Sequence, residues 1–107
     1  MLNLAISDTL LNTKSEKTLK RIRRKIDRDL SKMPGVVLHF KAQPKSKKQS
    51  TVQTFLQVSD EIFHHHEFDV KCWESALEQT VDHAIWFVRR DLPYIRQEKE
   101  ENRFQVR

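Results

Sequence analysis

The stretch from Lys17 to Lys32 most narrows the folds open to this chain, because its two sides differ in chemistry. Apolar residues recur every three or four positions, which is the spacing of one helix face. Cations recur at the same spacing on the other side, where like charges weaken an isolated helix by about 0.2–0.5 kcal/mol per pair. The pattern predicts a helix with one buried side and one self-repelling side. The apolar residues are Leu19, Ile22, Ile26 and Leu30, and the cations, called the basic stripe below, are Lys17, Arg21, Arg24, Arg28 and Lys32.

Four other stretches alternate between apolar and polar residues, as half-buried strands do. The first covers residues 1–7, where every second residue from Leu2 to Ile6 faces one side. The next three cover residues 36–42, 51–58 and 62–68. A polar connection separates the second strand from the third, and a tight turn at 59–61 separates the third from the fourth.

Two helices are predicted between and after these strands. Thr13 and Glu16 have the spacing of a capping box, so the first helix is expected to run from Lys14 to Met33 and to stop at the Pro-Gly pair 34–35. Asp69 is the expected cap of a second helix that begins near Val70 or Lys71, and Pro93 is expected to kink or end it. Its core-facing stripe consists of Trp73, Leu77, Val81, Ala84, Val88 and Leu92.

Together these elements predict a single α+β domain with the order β-α-β-β-β-α. Two helices packed on one face of a four-stranded sheet would cover all the apolar stripes. A chain of 107 residues leaves no room for a second core of useful size. The domain is expected to cover residues 1–98, and residues 99–107 are expected to be a frayed C-terminal tail.

Charge is distributed unevenly along the chain. Residues 1–58 carry 13 Lys and Arg against 4 Asp and Glu, whereas residues 59–107 carry 7 against 11. A concentration of cations in one helix and one loop is typical of proteins that bind a polyanion such as nucleic acid. The alternative is a solvated helix face, in which Asp27 and Asp29 pair with Arg23 and Lys25 on the flanks. Those pairs would leave the basic stripe mostly uncompensated.

Trp86 is the second candidate contact with nucleic acid. It lies nine residues beyond Leu77, and at about 100° per residue it points away from the core. His83, Arg89 and Arg90 share that outer side. An exposed tryptophan among cations is suited to stacking on an RNA base. The alternatives are a rotated helix or a contact between Trp86 and a partner protein.

Other chemistries have less support. His64 and His66 share a strand face and could supply two zinc ligands, but no spacing supplies a third, so no metal site is predicted. Cys72 has no basic partner in the sequence pattern, and neither catalysis nor a cofactor is predicted. A single cysteine, no apolar run of about 18 residues and no signal-peptide pattern in residues 1–10 favour a cytoplasmic protein without a membrane partner.

Three stretches give the chain a family resemblance. "LNLAIS" at the start, "FLQVSDEIFHHHEFD" in the middle and "WESALEQTVDHAIWFVRRDL" near the end resemble the first strand, the hairpin of the last two strands and the last helix of the short ribosome hibernation factors. This family includes the hibernation-promoting factors and ribosome-associated inhibitors, also called sigma-54 modulation proteins. The resemblance covers residues 1–98, and it is carried by the order of the elements rather than by a signature motif.

The resemblance implies a non-enzymatic translation inhibitor that binds the small ribosomal subunit in the channel of messenger and transfer RNA under stress. Ribosomal RNA is then the partner, a small-molecule substrate is absent, and the free protein is expected to be a monomer. The different-class alternative is a regulatory protein that docks its basic helix on an acidic protein partner. The expected RNA-binding residues are Lys17, Arg21, Arg24, Lys25, Arg28, Lys32, Trp86, Arg89 and Arg90.

Overall fold

The structure is a computed structural model that describes residues 2–30 and 35–93. Its elements follow one another in the predicted order, so the α+β fold is confirmed. A short 3-10 turn at Asp8–Leu10 precedes the first helix, and a π-helical segment at Phe87–Asp91 continues the second. The expected tail at 99–107 lies outside the described residues. The main elements are β1 (Leu2–Ile6), α1 (Thr13–Asp29), β2 (Val36–Pro44), β3 (Ser50–Val58), β4 (Glu61–Val70) and α2 (Trp73–Trp86).

The four strands form one mixed sheet in the order β1-β2-β3-β4. β1 runs parallel to β2, because α1 carries the chain back between them, and the other neighbours are antiparallel hairpin partners. Leu4, Phe40 and Thr54 lie side by side across the first three strands. Every second residue is buried from Val36 to Ala42 in β2 and throughout β3, as expected for a sheet that has one covered face.

Both helices pack on that covered face, as predicted. Ile22, Ile26 and Leu30 of the first apolar stripe are at most 1% exposed, and Leu19 packs half-buried beside them. All six residues of the predicted α2 stripe are buried in the same cluster. Burial of one such large aliphatic side chain is worth about 1.5–3 kcal/mol, so these stripes set the side that each helix presents to solvent.

The cap of α1 differs from the prediction by one residue. Asn12, not Thr13, is the N-cap: its side chain accepts a hydrogen bond from the Ser15 backbone N–H at 2.9 Å. The Ser15 hydroxyl in turn accepts from the Asn12 backbone N–H at 2.7 Å. Asn is at least as good a cap as Thr. Ser15 is also completely buried, so the reciprocal pair satisfies polar groups that water cannot reach.

The predicted cap of α2 is wrong as well. Asp69 belongs to β4, where its carboxylate accepts hydrogen bonds from the Thr51 hydroxyl at 2.9 Å and from Lys45. The Lys45 hydrogen bond is the main reason that the pKa of Asp69 is lowered. Sheet pairing continues to Val70, so α2 begins at Trp73 with Cys72 as its N-cap residue.

Gly35 provides the predicted reversal before β2. Its φ is +81°, a conformation that glycine adopts without strain, and its carbonyl accepts a hydrogen bond from the Ser59 N–H at 2.9 Å. A Cβ at this position would lie 3.2 Å from the Ser59 hydroxyl oxygen. Residues 31–34, which include Lys32 of the basic stripe and the predicted helix stop Pro34, lie outside the described residues.

β4 contains a bulge that the sequence pattern did not predict. Thr54 pairs with His66 and Leu56 pairs with Phe63, so the two residues 64 and 65 lie opposite one residue of β3. His64 has a φ of 53°, in the left-handed region where His is more frequent than most residues. The bulge turns the ring of His64 towards α2.

Candidate RNA-binding surface

The solvent side of α1 forms a groove of about 620 Å³ that is lined entirely by cationic side chains. Five of the six lining residues were predicted from the sequence. The sixth, Lys20, was missed, although it lies three residues from Lys17 and four from Arg24 and so shares their side of the helix. The lining residues are Lys17, Lys20, Arg21, Arg24, Lys25 and Arg28.

Ion pairs connect one rim of this groove to α2. The Arg21 guanidinium lies 3.0 Å from the Glu78 carboxylate, and Lys25 pairs with Asp82. Both pairs advance by four residues, or about one turn, along each helix, so α1 and α2 run side by side in the same direction. In the alternative of a solvated helix face Lys25 pairs with Asp29 of its own helix, whereas in the structure it pairs with Asp82 of α2.

A third contact between the helices is built around Asp29. Its carboxylate is 2.7 Å from Arg89 and 3.2 Å from Arg28, and its side chain is only 12% exposed. The hydrogen bond from Arg28, with further contributions from the charges of both arginines, lowers the pKa of Asp29 despite the opposing effect of burial. The carboxylate therefore stays ionised and holds two predicted RNA-binding arginines at the junction of α1 and the end of α2.

The basic stripe is thus more compensated than predicted. Arg21 and Arg28 have carboxylate partners, whereas three groove residues, called the unpaired cations below, form no ion pair with a described residue. A paired guanidinium still has N–H donors to spare, because it carries five and these contacts use one each. The ion pairs therefore orient the arginines without removing them as phosphate ligands. The unpaired cations are Lys17, Lys20 and Arg24.

Trp86 projects to solvent from the last turn of α2, four residues beyond Asp82 and therefore beside the ion-paired side of the helix. Its side chain is 45% exposed, which confirms the predicted outward orientation. The Arg90 guanidinium carbon lies 5.9 Å from the centre of the indole ring, and the His83 ring lies 6.3 Å away at an angle of 29°. The structure therefore brings Trp86, Arg90 and His83 together, whereas Arg89 pairs with Asp29 of α1.

The histidines of β4 have a neighbour that sequence analysis missed. His64 and His66 share a face, as predicted, and their ring centres are 6.3 Å apart. His83 of α2 approaches His64 to 4.9 Å. Burial, followed by the neighbouring charges of His83 and His66, lowers the pKa of His64. Within residues 2–30 and 35–93, no group of three or more His, Cys, Asp or Glu is placed to hold a metal ion.

Comparisons with known proteins add no further assignment. No family model matches the chain, and a search of curated proteins finds no match. Among the helices of the described residues, none has the length and apolar character needed to cross a membrane. The surface chemistry of α1 and α2 is therefore the basis on which a function has to be argued.

Proposed function

We propose that this protein binds the small ribosomal subunit through ribosomal RNA phosphates and thereby inhibits translation, as a ribosome hibernation factor. The observation that carries the proposal is the groove of about 620 Å³ lined by six cations and no carboxylate. A strongly basic surface of this kind gains affinity by releasing counterions from RNA, and this gain does not depend on the RNA sequence. The β-α-β-β-β-α order, which the resemblance to hibernation factors implies, supports the same proposal.

The arrangement of the groove fits folded RNA better than a single anionic group. The unpaired cations are spread over two turns of α1, so several phosphates can be neutralised at once. Arg21 and Arg28 are held in place by carboxylates, so their remaining donors are oriented before binding. Their ordering then costs less conformational entropy when the complex forms.

An acidic protein is the alternative partner, and a specific observation favours it. Glu78 and Asp82 of α2 already pair with two of the groove cations, so these cations accept carboxylate partners. A regulatory protein could be held by the same cations through its own carboxylates. The two partners differ in their sensitivity to ribonuclease.

Sucrose-gradient sedimentation with purified bacterial ribosomes tests the proposal. The expected result is comigration with 30S and 70S particles that weakens as salt is raised. If only the unpaired cations neutralise phosphates, the slope of log Kobs against log salt is about −2 to −3, and if all six groove cations do so it is about −4 to −5. The gradient gives comigration, and a titration of 30S subunits gives Kobs.

Two results would contradict the proposal. The first is protein that stays at the top of the gradient at every salt concentration. The second is a pull-down from bacterial lysate that retains a protein complex after ribonuclease treatment while ribosomal particles are lost, which would favour the acidic partner. A translation assay in a purified system then measures inhibition directly, with the variants described in the Discussion as controls.

A further inference from the structure

A cavity of about 180 Å³ lies between β4 and α2, on the side of α2 that faces away from the ion pairs. Its floor is apolar and consists of sheet residues and Ala84. Three histidines, Gln79 and two threonines complete the lining, which stays mainly apolar because the Thr54 and Thr80 hydroxyls donate to the His39 and Ala76 carbonyls; no carboxylate, lysine or arginine lines the cavity. The lining residues are Leu38, Thr54, Leu56, His64, His66, Phe68, Gln79, Thr80, His83 and Ala84.

The bulge in β4 shapes this cavity. Without the extra residue opposite β3, the ring of His64 would not be turned to within 4.5 Å of Phe87 and 4.9 Å of His83, measured between ring centres. The positive φ of His64 is a conformation that costs free energy in most residues, and such positions are concentrated at functional sites. Phe68, at the far end of the cavity, remains 38% exposed although its ring belongs to the covered side of the sheet.

A continuous series of rings leads from the cavity to the cationic outer surface of α2. His66 is 6.3 Å from His64, which is 4.9 Å from His83. His83 is 6.3 Å from Trp86, and Arg90 lies 5.9 Å above the Trp86 ring. The spacing of these centres is that of interacting aromatic pairs. A ligand that enters the cavity therefore has an exposed aromatic ring and a guanidinium directly outside.

We infer that the cavity receives one unpaired pyrimidine base of the bound RNA, while the adjoining nucleotide stacks on Trp86 and its phosphate contacts Arg90. This inference rests on the proposed function, since it names how the RNA is held at a second surface of the same protein. RNA-binding proteins commonly take up splayed bases between aromatic side chains and arginine planes.

The size and the chemistry of the cavity both match such a base. An engineered protein cavity of about 150 Å³ holds benzene, so about 180 Å³ accommodates one six-membered ring with its exocyclic groups. A neutral imidazole offers one donor and one acceptor, and the Gln79 amide offers both, which is what the edge of a pyrimidine requires. Burial lowers the pKa of His64 and favours this neutral form. Since no cation lines the cavity, phosphate is expected to stay outside.

Three RNA hexamers test the inference by fluorescence anisotropy at fixed salt. One is abasic at every position, one carries a single central uridine, and one carries a single central adenosine. All three have the same phosphates, so their affinities differ only through the base. We expect the uridine hexamer to bind about 10-fold more tightly than the abasic one. The adenosine hexamer should gain less, because a purine is too large for the cavity. Equal affinities of the uridine and abasic hexamers would overturn the inference.

Two sets of variants place the base. Ala84→Leu fills the cavity from α2 and should remove the uridine gain while leaving abasic binding unchanged. Because Ala84 is buried, a matched pair of exposed histidines on opposite faces of β4 repeats the test without a buried change. His66→Ala removes a cavity wall and should lose most of the uridine gain. His65→Ala, whose ring contacts Phe55 instead, should keep it. An equal gain in both members of the pair would overturn the cavity as the site.

The gradient experiment on the same preparations separates this inference from the proposed function. Comigration with 30S particles without a uridine gain leaves the function standing and removes the cavity inference. A uridine gain that follows the variants, in a protein that does not comigrate with ribosomal particles, supports base binding by the cavity and removes the ribosome as the source of the RNA.

Discussion

The two sides of α2 handle charge in opposite ways. The side that faces α1 carries Glu78 and Asp82, and these carboxylates hold cations of the neighbouring helix in ion pairs. The side that faces β4 carries His83, which contacts His64, and Trp86 projects to solvent between the two sides, where it contacts the His83 ring and the Arg90 guanidinium. Charge-based affinity falls with salt, whereas stacking does not. One helix therefore lies between a surface suited to binding by charge and a surface suited to binding by shape and stacking.

The largest expected effect breaks the charged surface, at the groove of α1 that lies beside these ion pairs. Lys17→Glu with Arg24→Glu reverses two unpaired cations, and the loss of two charge-assisted contacts of about 1.5–3 kcal/mol each weakens 30S binding by about 100-fold or more. The salt slope should fall by about 2. Glutamates at these positions precede Arg21 and Arg28 by four residues, which stabilises α1, so circular dichroism should show an intact fold.

The matched control for this variant is Lys41→Glu with Lys48→Glu. It makes the same change in net charge on exposed residues of β2 and the following loop, away from the groove. We expect near wild-type binding from the control. Equal losses in the two double variants would mean that net charge, rather than the groove, determines binding.

The next largest effect concerns the stacking side. Trp86→Ala removes the exposed ring and should weaken binding to single-stranded RNA by about 10-fold, as expected for one stacked base. Because no charge is lost, the salt slope should stay that of the wild type. Ile62→Ala, at a 62% exposed position on β4, is the control for loss of an exposed apolar side chain. A change in slope with Trp86→Ala would show that the charged groove and the stacking surface are not independent.

A smaller effect is expected when the two carboxylates of α2 that pair with α1 are neutralised. Glu78→Gln with Asp82→Asn removes the partners of Arg21 and Lys25, so 30S binding should become a few-fold tighter. Exposed ion pairs are worth about 0.2–1 kcal/mol each, so the free energy of unfolding should fall slightly. Asp60→Asn with Glu67→Gln changes the net charge equally and should leave affinity unchanged. Weaker binding by the first variant would mean that the orientation supplied by the ion pairs contributes more to affinity than the competing carboxylates remove.

The smallest effect is a dependence of stability on pH. The pKa of His64 is lowered by burial and by neighbouring histidines, so the unfolded chain takes up this proton more readily than the folded protein. The free energy of unfolding should therefore be unaffected by His64 well above about pH 6.5, which is the pKa of histidine in an unfolded chain. It should fall as the pH drops below that value. The pKa values of Asp29 and Asp69 are also lowered, so protonation of these carboxylates destabilises the folded protein in the same way. We expect a second loss of stability at a pH below about 4.

Thermal melts of His64→Asn at a series of pH values test whether His64 causes the first loss of stability. Asn tolerates the positive φ at this position, so the fold should be kept while the first loss of stability becomes smaller. His65→Asn, on the other face of the sheet, should retain the wild-type profile. A loss near pH 6.5 that is the same in all three proteins would assign it to other groups.

Local pattern was sufficient to predict the elements and the sides that they bury. The spacing of Ile22, Ile26 and Leu30 identified the buried side of α1, and that of Trp73 and Leu77 did the same for α2. The outward orientation of Trp86 followed from the same periodicity. The helix starts were less predictable, because Asn12 and Thr13 are both acceptable caps and only the burial of Ser15 distinguishes them.

By itself, the sequence determined the fold order and the presence of a cationic surface, because helical and strand periodicities act over a few residues. Tertiary structure decided which cations are paired, since Arg21 and Glu78 are 57 residues apart, as are Lys25 and Asp82. It also decided that His83 meets His64, through a bulge whose position depends on pairing with β3. Contacts of this kind depend on where helices and strands pack against one another. A pattern over a few neighbouring residues does not encode contacts between residues that are far apart in the sequence.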